Sequence, residues 1–240
     1  MKYCAIILAA GHGSRLQSNI PKPLVKINNK SIIQHIIDTF SRWNNIDIIV
    51  IVKKNSPIIN SINQKCKFII QDVPNGTGHA IKCAIGTIKK YDQTFISVGD
   101  SPLISFESLK KMNQFHIDNN IDCSFLTSKF PKKFPYAAIV RDANNKIIKC
   151  VEPRDANKLE KQIDEKLSSH YLIKSKAIID YIEYIKPNVI TKEEYLTDII
   201  NILIDNQKSI YGHKVLDYME LVGINTPQDL EEVKRIIDEK

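Results

Sequence analysis

Two glycines and two cations crowd one short stretch of this chain. Leu8-Ala9-Ala10-Gly11-His12-Gly13-Ser14-Arg15-Leu16 leads into Pro21-Lys22-Pro23-Leu24. Gly11 and Gly13 let backbone N–H groups turn toward a phosphate with no Cβ in the way. Arg15 and Lys22 lie seven residues apart and can close over a polyphosphate from two sides. A dinucleotide fingerprint would need glycine where Leu16 stands, and a Walker A loop would need Gly-Lys-Ser/Thr, which is absent. The stretch therefore reads as a phosphate-handling loop of another kind. Leu8, Ala9, Ala10, Gly11, Gly13 and Ser14 are its candidates for nucleotide contact, and Arg15 and Lys22 its candidate catalytic cations.

Further along, Asp100 follows an apolar run, Gln93–Val98. A carboxylate there can hold Mg²⁺, which takes few protein oxygens and leaves room for phosphate and water. Taken alone, Asp100 equally suits a turn or helix cap before Pro102. Gln71 can offer both a donor and an acceptor to a pyrimidine edge, or simply close a strand. Gly76 would let a base approach the backbone, and Thr77 suits the N-cap of a helix. Asn225 stands just before the helix start Thr226-Pro227. His79 faces a helix start and is given no role.

The elements that must position these residues alternate. Cys4–Ala10, Ile48–Val52, Cys66–Ile70 and Gln93–Val98 are short continuous apolar runs, as in parallel strands covered on both faces. Between and after them, Ser31–Trp43, Thr77–Tyr91 and Phe106–Asn119 have helical spacing, and Pro57–Gln64 is a short helix. This pattern predicts a doubly wound, Rossmann-like α/β sheet, mixed but mainly parallel, with ligands docking beyond the carboxyl ends of its strands. The second half is less regular. Ser124–Ser128, Tyr136–Arg141, Lys146–Val151, His170–Lys174, Ser209–His213 and Glu220–Val222 are predicted strands, with a hairpin turn at Asp142–Asn145. Ala156–Glu165, Ala177–Tyr184 and Glu194–Asp205 are predicted helices, and Thr226 caps a last one. No linker-like composition divides the chain. The reading is one domain over 1–240, with a nucleotide-binding half (1–122) and a smaller mixed, acceptor-binding half (123–240).

Composition narrows the classes. Hydrophobic residues are 43% and charged residues 25% of 240, which excludes a wholly disordered chain. The longest apolar run is Cys4–Ala10, far short of the roughly 20 residues of a spanning helix, so no membrane association is expected. The formal charge of +7 suits phosphorylated partners, but the lysines are scattered and no aromatic–basic repeat accompanies them, so nucleic acid is not an expected partner. Five cysteines without a CxxC pair argue for a reducing, cytoplasmic compartment rather than a disulfide framework. Cys4, Cys66 and Cys123 are predicted core thiols.

With these residues in view, the chain resembles the sugar-1-phosphate nucleotidyltransferases, and most closely the uridylyltransferase domain that makes UDP-N-acetylglucosamine in bacteria. Gln71 with Gly76-Thr77-Gly78-His79-Ala80 is similar to that family's base-binding segment, and Val98-Gly99-Asp100-Ser101-Pro102-Leu103-Ile104 to its metal-binding segment. Ile139-Val140-Arg141, Val151-Glu152, Tyr195-Leu196-Thr197-Asp198 and Val222-Gly223-Ile224-Asn225 follow in the family's order. The resemblance implies Mg²⁺ on Asp100 and Asn225, a nucleoside triphosphate (UTP by the Gln71, Gly76 and Thr77 pattern), and a sugar 1-phosphate held by Ala137, Glu152, Ser168, Tyr195 and Thr197. It leaves open CTP or dTTP, another phosphorylated acceptor, and a catalytically silent subunit of the same fold. Two departures touch the acceptor pocket. Tyr136-Ala137-Ala138 stands where the family has Tyr-Gly-Arg, and Ser168-Ser169-His170 where it has Asn-Thr-Gly, so His170 is expected to add bulk there. The acetyltransferase domain and trimer of the bifunctional relatives are not expected.

Overall fold

The computed structural model describes residues 1–11, 16, 20–62, 65–131 and 134–239. Strand β1 (Tyr3–Leu8) is followed by a small ribbon of β2 (Lys26–Ile27) and β3 (Lys30–Ser31), then helix α1 (Ile32–Ser41) and strands β4 (Ile46–Val52) and β5 (Lys67–Ile70). Helix α2 (Thr77–Ile88), strand β6 (Gln93–Val98), helix α3 (Phe106–Asp118) and strands β7 (Cys123–Lys129), β8 (Ala137–Arg141), β9 (Ile147–Val151) and β10 (Glu165–Lys174) come next. Helices α4 (Ser175–Tyr181) and α5 (Asp198–Asp205), strand β11 (Ile210–Lys214) and helix α6 (Pro227–Asp238) complete the order.

The main sheet runs β11-β7-β10-β6-β1-β4-β5, with the β8–β9 hairpin branching from β10. β1 pairs in parallel with both β4 and β6. β10 runs antiparallel to β6 and β7, so it alone opposes the direction of the seven-strand path. The mixed, mainly parallel α/β sheet expected from the alternating runs is therefore the fold, and strands from both halves of the chain share it.

Continuous apolar strands follow from burial on both faces. Ala5 and Ile7 of β1 face one core with α1, α3 and α6, while Cys4 and Ile6 face the other with α2, α4 and α5. In β1 both faces are apolar, so no polar alternation survives there. Chain order places β4 on one side of β1 and β6 on the other. The crevice beyond their carboxyl ends is the switch point of the sheet, where such folds take ligands.

Several local expectations change. Residues 156–165 form no long helix: a 3₁₀ turn occupies Glu160–Gln162, and Glu165 already begins β10. Pairing of Lys166 and Leu167 with β8 and β7 outweighs the local helical pattern. Glu220–Val222 is not a strand. Tyr218–Leu221 is a 3₁₀ turn, opened by the Asp217 side chain accepting from Met219 N. The short helix expected at 57–64 is a 3₁₀ turn at Pro57–Asn60, and Gln64 lies outside the described residues. Cys66 is only half-buried, whereas Cys150 is buried with Cys4 and Cys123.

Thr226 caps α6 as expected, and the cap is reciprocal. Its hydroxyl accepts from Asp229 N at 3.2 Å, while the Asp229 carboxylate accepts from Thr226 N at 2.8 Å and from Asn225 N at 2.9 Å. The same carboxylate thus holds the backbone of a candidate metal ligand. Thr226→Ala should lower the unfolding free energy by about 1 kcal/mol, measured by urea denaturation.

Candidate active site

The crevice begins with a close approach between two strand ends. Gly99 N donates to Leu8 O at 2.9 Å, and a Cβ at Gly99 would meet that carbonyl at 2.7 Å. Only glycine lets β6 end this near β1, which sets Asp100 beside the Leu8–Gly11 segment. Ile224 N donates to Asp100 O at 2.9 Å and brings the 223–225 loop over it.

Three side chains from distant segments meet there. Lys22 Nζ pairs with Asp100 Oδ2 and donates to Asn225 Oδ1 at 3.1 Å. Lys22 is presented by the 3₁₀ turn Lys22–Leu24, which Pro21 and Pro23 favour by fixing φ. Asn225 Nδ2 donates to Gly223 O at 2.9 Å, which orients its amide so that Oδ1 faces the cation. Gly223 N in turn donates to the Tyr136 hydroxyl at 2.9 Å. A Cβ on Gly223 would lie 2.8 Å from Asp100 Oδ1, so glycine keeps the carboxylate's surroundings open.

Two cavities meet at this cluster. The first, of about 420 Å³, is lined by Leu8, Ala9, Ala10 and Gly11 on one side and by Gln71, Gly76 and Thr77 on another. The second, of about 610 Å³, is lined by Tyr136, Glu152, Arg154, Ser168 and Ser169, among others. Val98, Asp100 and Asn225 belong to both.

In the first cavity, Gln71 is 3% exposed. Its Nε2 donates to Gly76 O at 3.1 Å and to His79 Nδ1 at 3.0 Å. Both amide protons are committed, so Oε1 is the group it offers to a ligand; the donor half of the expected pairing is used internally. His79, given no role from sequence, anchors that amide. Gly76 adopts φ +103°, and a Cβ there would meet Glu194 O at 2.3 Å. Gly76 is itself the N-cap of α2. The Thr77 hydroxyl instead accepts from Leu196 N at 2.9 Å and ties the 193–196 loop to the cavity.

The expected acceptor residues divide. Glu152 and Ser168 line the second cavity. A bulge in β10 between Leu167 and Tyr171, with Ser169 at φ +55°, turns Ser168 and Ser169 toward it. Thr197 is outside the lining but donates to Glu152 Oε1 at 2.6 Å, so it acts through that carboxylate. Tyr195 lines the first cavity, not the second, and its ring carries the Arg154 guanidinium at 5.3 Å. Ala137 lines neither; it is 3% exposed in the core, and Tyr136 takes its place at the cavity. His170 is fully buried, with Nδ1 on Ser97 Oγ at 2.8 Å, and burial pushes its pKa down to about 4. It adds no bulk to the pocket. Gly13, Ser14 and Arg15 lie outside the described residues. Tyr136, His79, Arg154 and Gly223 were missed. Tyr136, His79 and Gly223 each stood inside a motif segment without being given a role, whereas Arg154 carried no sequence signal.

Residues 5–168 match the MobA-like NTP transferase domain. The chain belongs to that family. It is 32% identical over 238 residues to the bifunctional protein GlmU of Clostridioides difficile, covering 99% of this chain and 52% of that protein. GlmU of Streptococcus uberis is 31% identical over 223 residues, 92% of this chain and 49% of its own. The chain thus spans about half the length of the curated relatives it matches. A UDP-glucose pyrophosphorylase complexed with UDP-glucose superposes with a TM-score of 0.80 at 17% identity, covering 100% of this chain and 99% of its own. The CMP:2-keto-3-deoxy-manno-octonic acid synthetase complexed with CTP gives 0.71 at 17%, with the same coverage. At these identities the superpositions establish the fold. No helix among the described residues is long and apolar enough to cross a membrane.

Electrostatics around the second cavity are acidic on one wall. Burial raises the pKa of Glu152 above the usual carboxylate range. Burial first, then the nearby Glu152 and Asp155 charges, raise that of Asp198 to about 6. Between its unfolded value near 4 and about 6, Asp198 binds more proton in the folded state, so stability from this group falls as pH rises through that window. Asp198→Asn should therefore raise the melting temperature at pH 7 to 8, with the gain vanishing below about pH 4, as thermal denaturation across pH would show. Gly223→Ala should displace Asp100 and lower nucleotidyl transfer by about 100-fold with little loss of melting temperature, checked by a nucleoside triphosphate turnover assay beside thermal unfolding.

Proposed function

We propose that this protein transfers a nucleoside monophosphate from a nucleoside triphosphate, UTP by preference, to a sugar 1-phosphate and releases pyrophosphate. The observation that carries the reading is the meeting of two cavities at Asp100 and Asn225, with Lys22 between those residues. One cavity takes the triphosphate, built mostly from residues 1–122. The other takes the acceptor, built mostly from residues 123–240, within a single functional unit.

An acceptor phosphate oxygen attacks the α-phosphorus, a new P–O bond forms, and the bond to the β-phosphate oxygen breaks. A phosphate dianion is already nucleophilic, so no side chain need remove a proton. The protein's work is alignment and charge stabilisation. Lys22, with Arg15 from the loop outside the described residues, neutralises phosphate charge. Gly11 lines the first cavity, and Gly13 and Ser14, outside the described residues, are its proposed partners in phosphate contact. Arg154, stacked on Tyr195, lies at the second cavity and suits the acceptor phosphate.

Asp100 and Asn225 fit Mg²⁺. Both offer hard oxygens, a cation already lies between them in the form of Lys22 Nζ, and Gly223 leaves the carboxylate uncrowded. Among the described residues no cluster of three or more His, Cys, Asp or Glu side chains is placed to hold a metal, and Mg²⁺ commonly takes only one or two protein carboxylates beside phosphates and water. When bound, the ion would supply positive charge to the phosphates at the reacting centre.

Base preference follows from Gln71. With both amide protons committed, Oε1 accepts from a ring N–H. Uracil and thymine present that N–H at N3, whereas cytosine presents a lone pair there and could meet Oε1 only through its exocyclic 4-amino group. This supports UTP or dTTP over CTP. The free cysteines suit a reducing, cytoplasmic setting.

Asp100→Asn should nearly abolish pyrophosphate release while the fold persists; wild-type rates at limiting Mg²⁺ would overturn the assignment of Asp100. Arg15→Ala and Lys22→Ala should each slow turnover by about 100- to 1000-fold, read as kcat with saturating triphosphate and sugar 1-phosphate. Release of pyrophosphate from CTP at a higher kcat/KM than from UTP would defeat the Gln71 reading.

A further inference from the structure

A third cavity, of about 280 Å³, adjoins the second. The two share Pro135, Tyr136 and Pro153 as walls. Lys166 stands in the third, only 7% exposed. Its ammonium donates to Phe134 O at 2.6 Å. No carboxylate among the described residues pairs with it, and burial alone lowers its pKa. Glu160, the acidic residue on the same wall, is already engaged by Lys149 Nζ at 2.6 Å and Asn157 N at 2.8 Å.

An ammonium carries three N–H donors, so Lys166 retains two. A cation removed from water without a counter-charge is costly, and an anion entering the cavity would remove that cost. Strand geometry joins this cavity to the acceptor site. Strand β10 runs past both cavities: Lys166, just before its bulge, lines the third, and Ser168, within the bulge, lines the second.

We propose that the third cavity is a subsite for a second negative charge on the acceptor: beyond its reacting phosphate, the sugar carries a carboxylate or a further phosphate that pairs with Lys166. This rests on the reading of the second cavity as the acceptor site. A neutral sugar leaves the buried ammonium unpaired and is the poorer substrate.

The test uses the full chain with UTP and Mg²⁺ and three acceptors: glucose 1-phosphate, glucuronic acid 1-phosphate and glucose 1,6-bisphosphate. One anionic acceptor should exceed glucose 1-phosphate in kcat/KM by about tenfold or more, and which one does so separates carboxylate from phosphate. Lys166→Met should bring that ratio close to one, and Lys166→Arg should preserve it, with melting temperatures confirming that both variants fold. A wild-type ratio near or below one, or a preference that Lys166→Met leaves intact, overturns the subsite while transfer itself stands. If no acceptor releases pyrophosphate, the transferase reading fails instead. Calorimetric binding of the same three compounds to wild type and Lys166→Met then decides the subsite: tighter anionic binding lost in Lys166→Met supports it, and equal binding overturns it.

Discussion

The ion pair between Lys22 and Asp100, shared with the Asn225 amide, joins three segments of the chain at one point. Lys22 comes from the loop after β1, Asp100 from the end of β6, and Asn225 from the turn before α6. Each is held by its own backbone device: a proline-flanked 3₁₀ turn, a glycine-permitted strand approach, and a reciprocal helix cap. Because Lys22 and Asp100 are largely shielded from water, neither charge is well served without the other. The crevice keeps its polar floor only while all three segments stay docked.

Glycine contacts set the remaining shape. At Gly76 and Gly99 a Cβ would run into backbone carbonyls, and at Gly223 into the Asp100 carboxylate. The first fixes α2 against the 193–196 loop, the second fixes β6 against β1, and the third leaves room at the carboxylate. Around them, side chains act in pairs rather than singly. His79 commits the Gln71 amide, Thr197 holds Glu152, and Arg154 rests on Tyr195. The polar groups of both cavities are thereby held in place by their neighbours.

The two cavities differ in how they are built. The first sits over the parallel strand ends and takes most of its lining from one half of the chain. The second depends on β10, the one strand of the path that runs against its neighbours, and on the bulge that turns Ser168 and Ser169 outward. A strand that pairs with β6, β7 and β8 at once couples the wall of the second cavity to that of the first. This coupling ties the two cavities to one sheet.

The sequence by itself determined the parallel half and the identity of the cluster. Buried strands need apolar residues on both faces, and helices need the 3.6 period, so β1, β4, β6, α1, α2 and α3 were legible within a residue or a few at their ends. Asp100 and Lys22 stood out because a carboxylate after a strand and a cation on a glycine-containing loop suit phosphate chemistry, whereas Asn225, Gln71 and Gly76 stood out through the family resemblance; the structure brings Lys22, Asp100 and Asn225 together. Only the tertiary structure decided what depends on partners far away in the chain. Residues 156–165 have a helical local pattern, yet the end of that segment joins a strand because β7 and β8 offer it hydrogen bonds. Ala137 and His170 sit near cavity residues in sequence, but the pleat of one strand and the burial of the other send them into the core. Tyr195 falls in the first cavity through the loop that Thr77 anchors. Side-chain direction and long-range pairing are set by packing across the sheet, and no local run of residues encodes them.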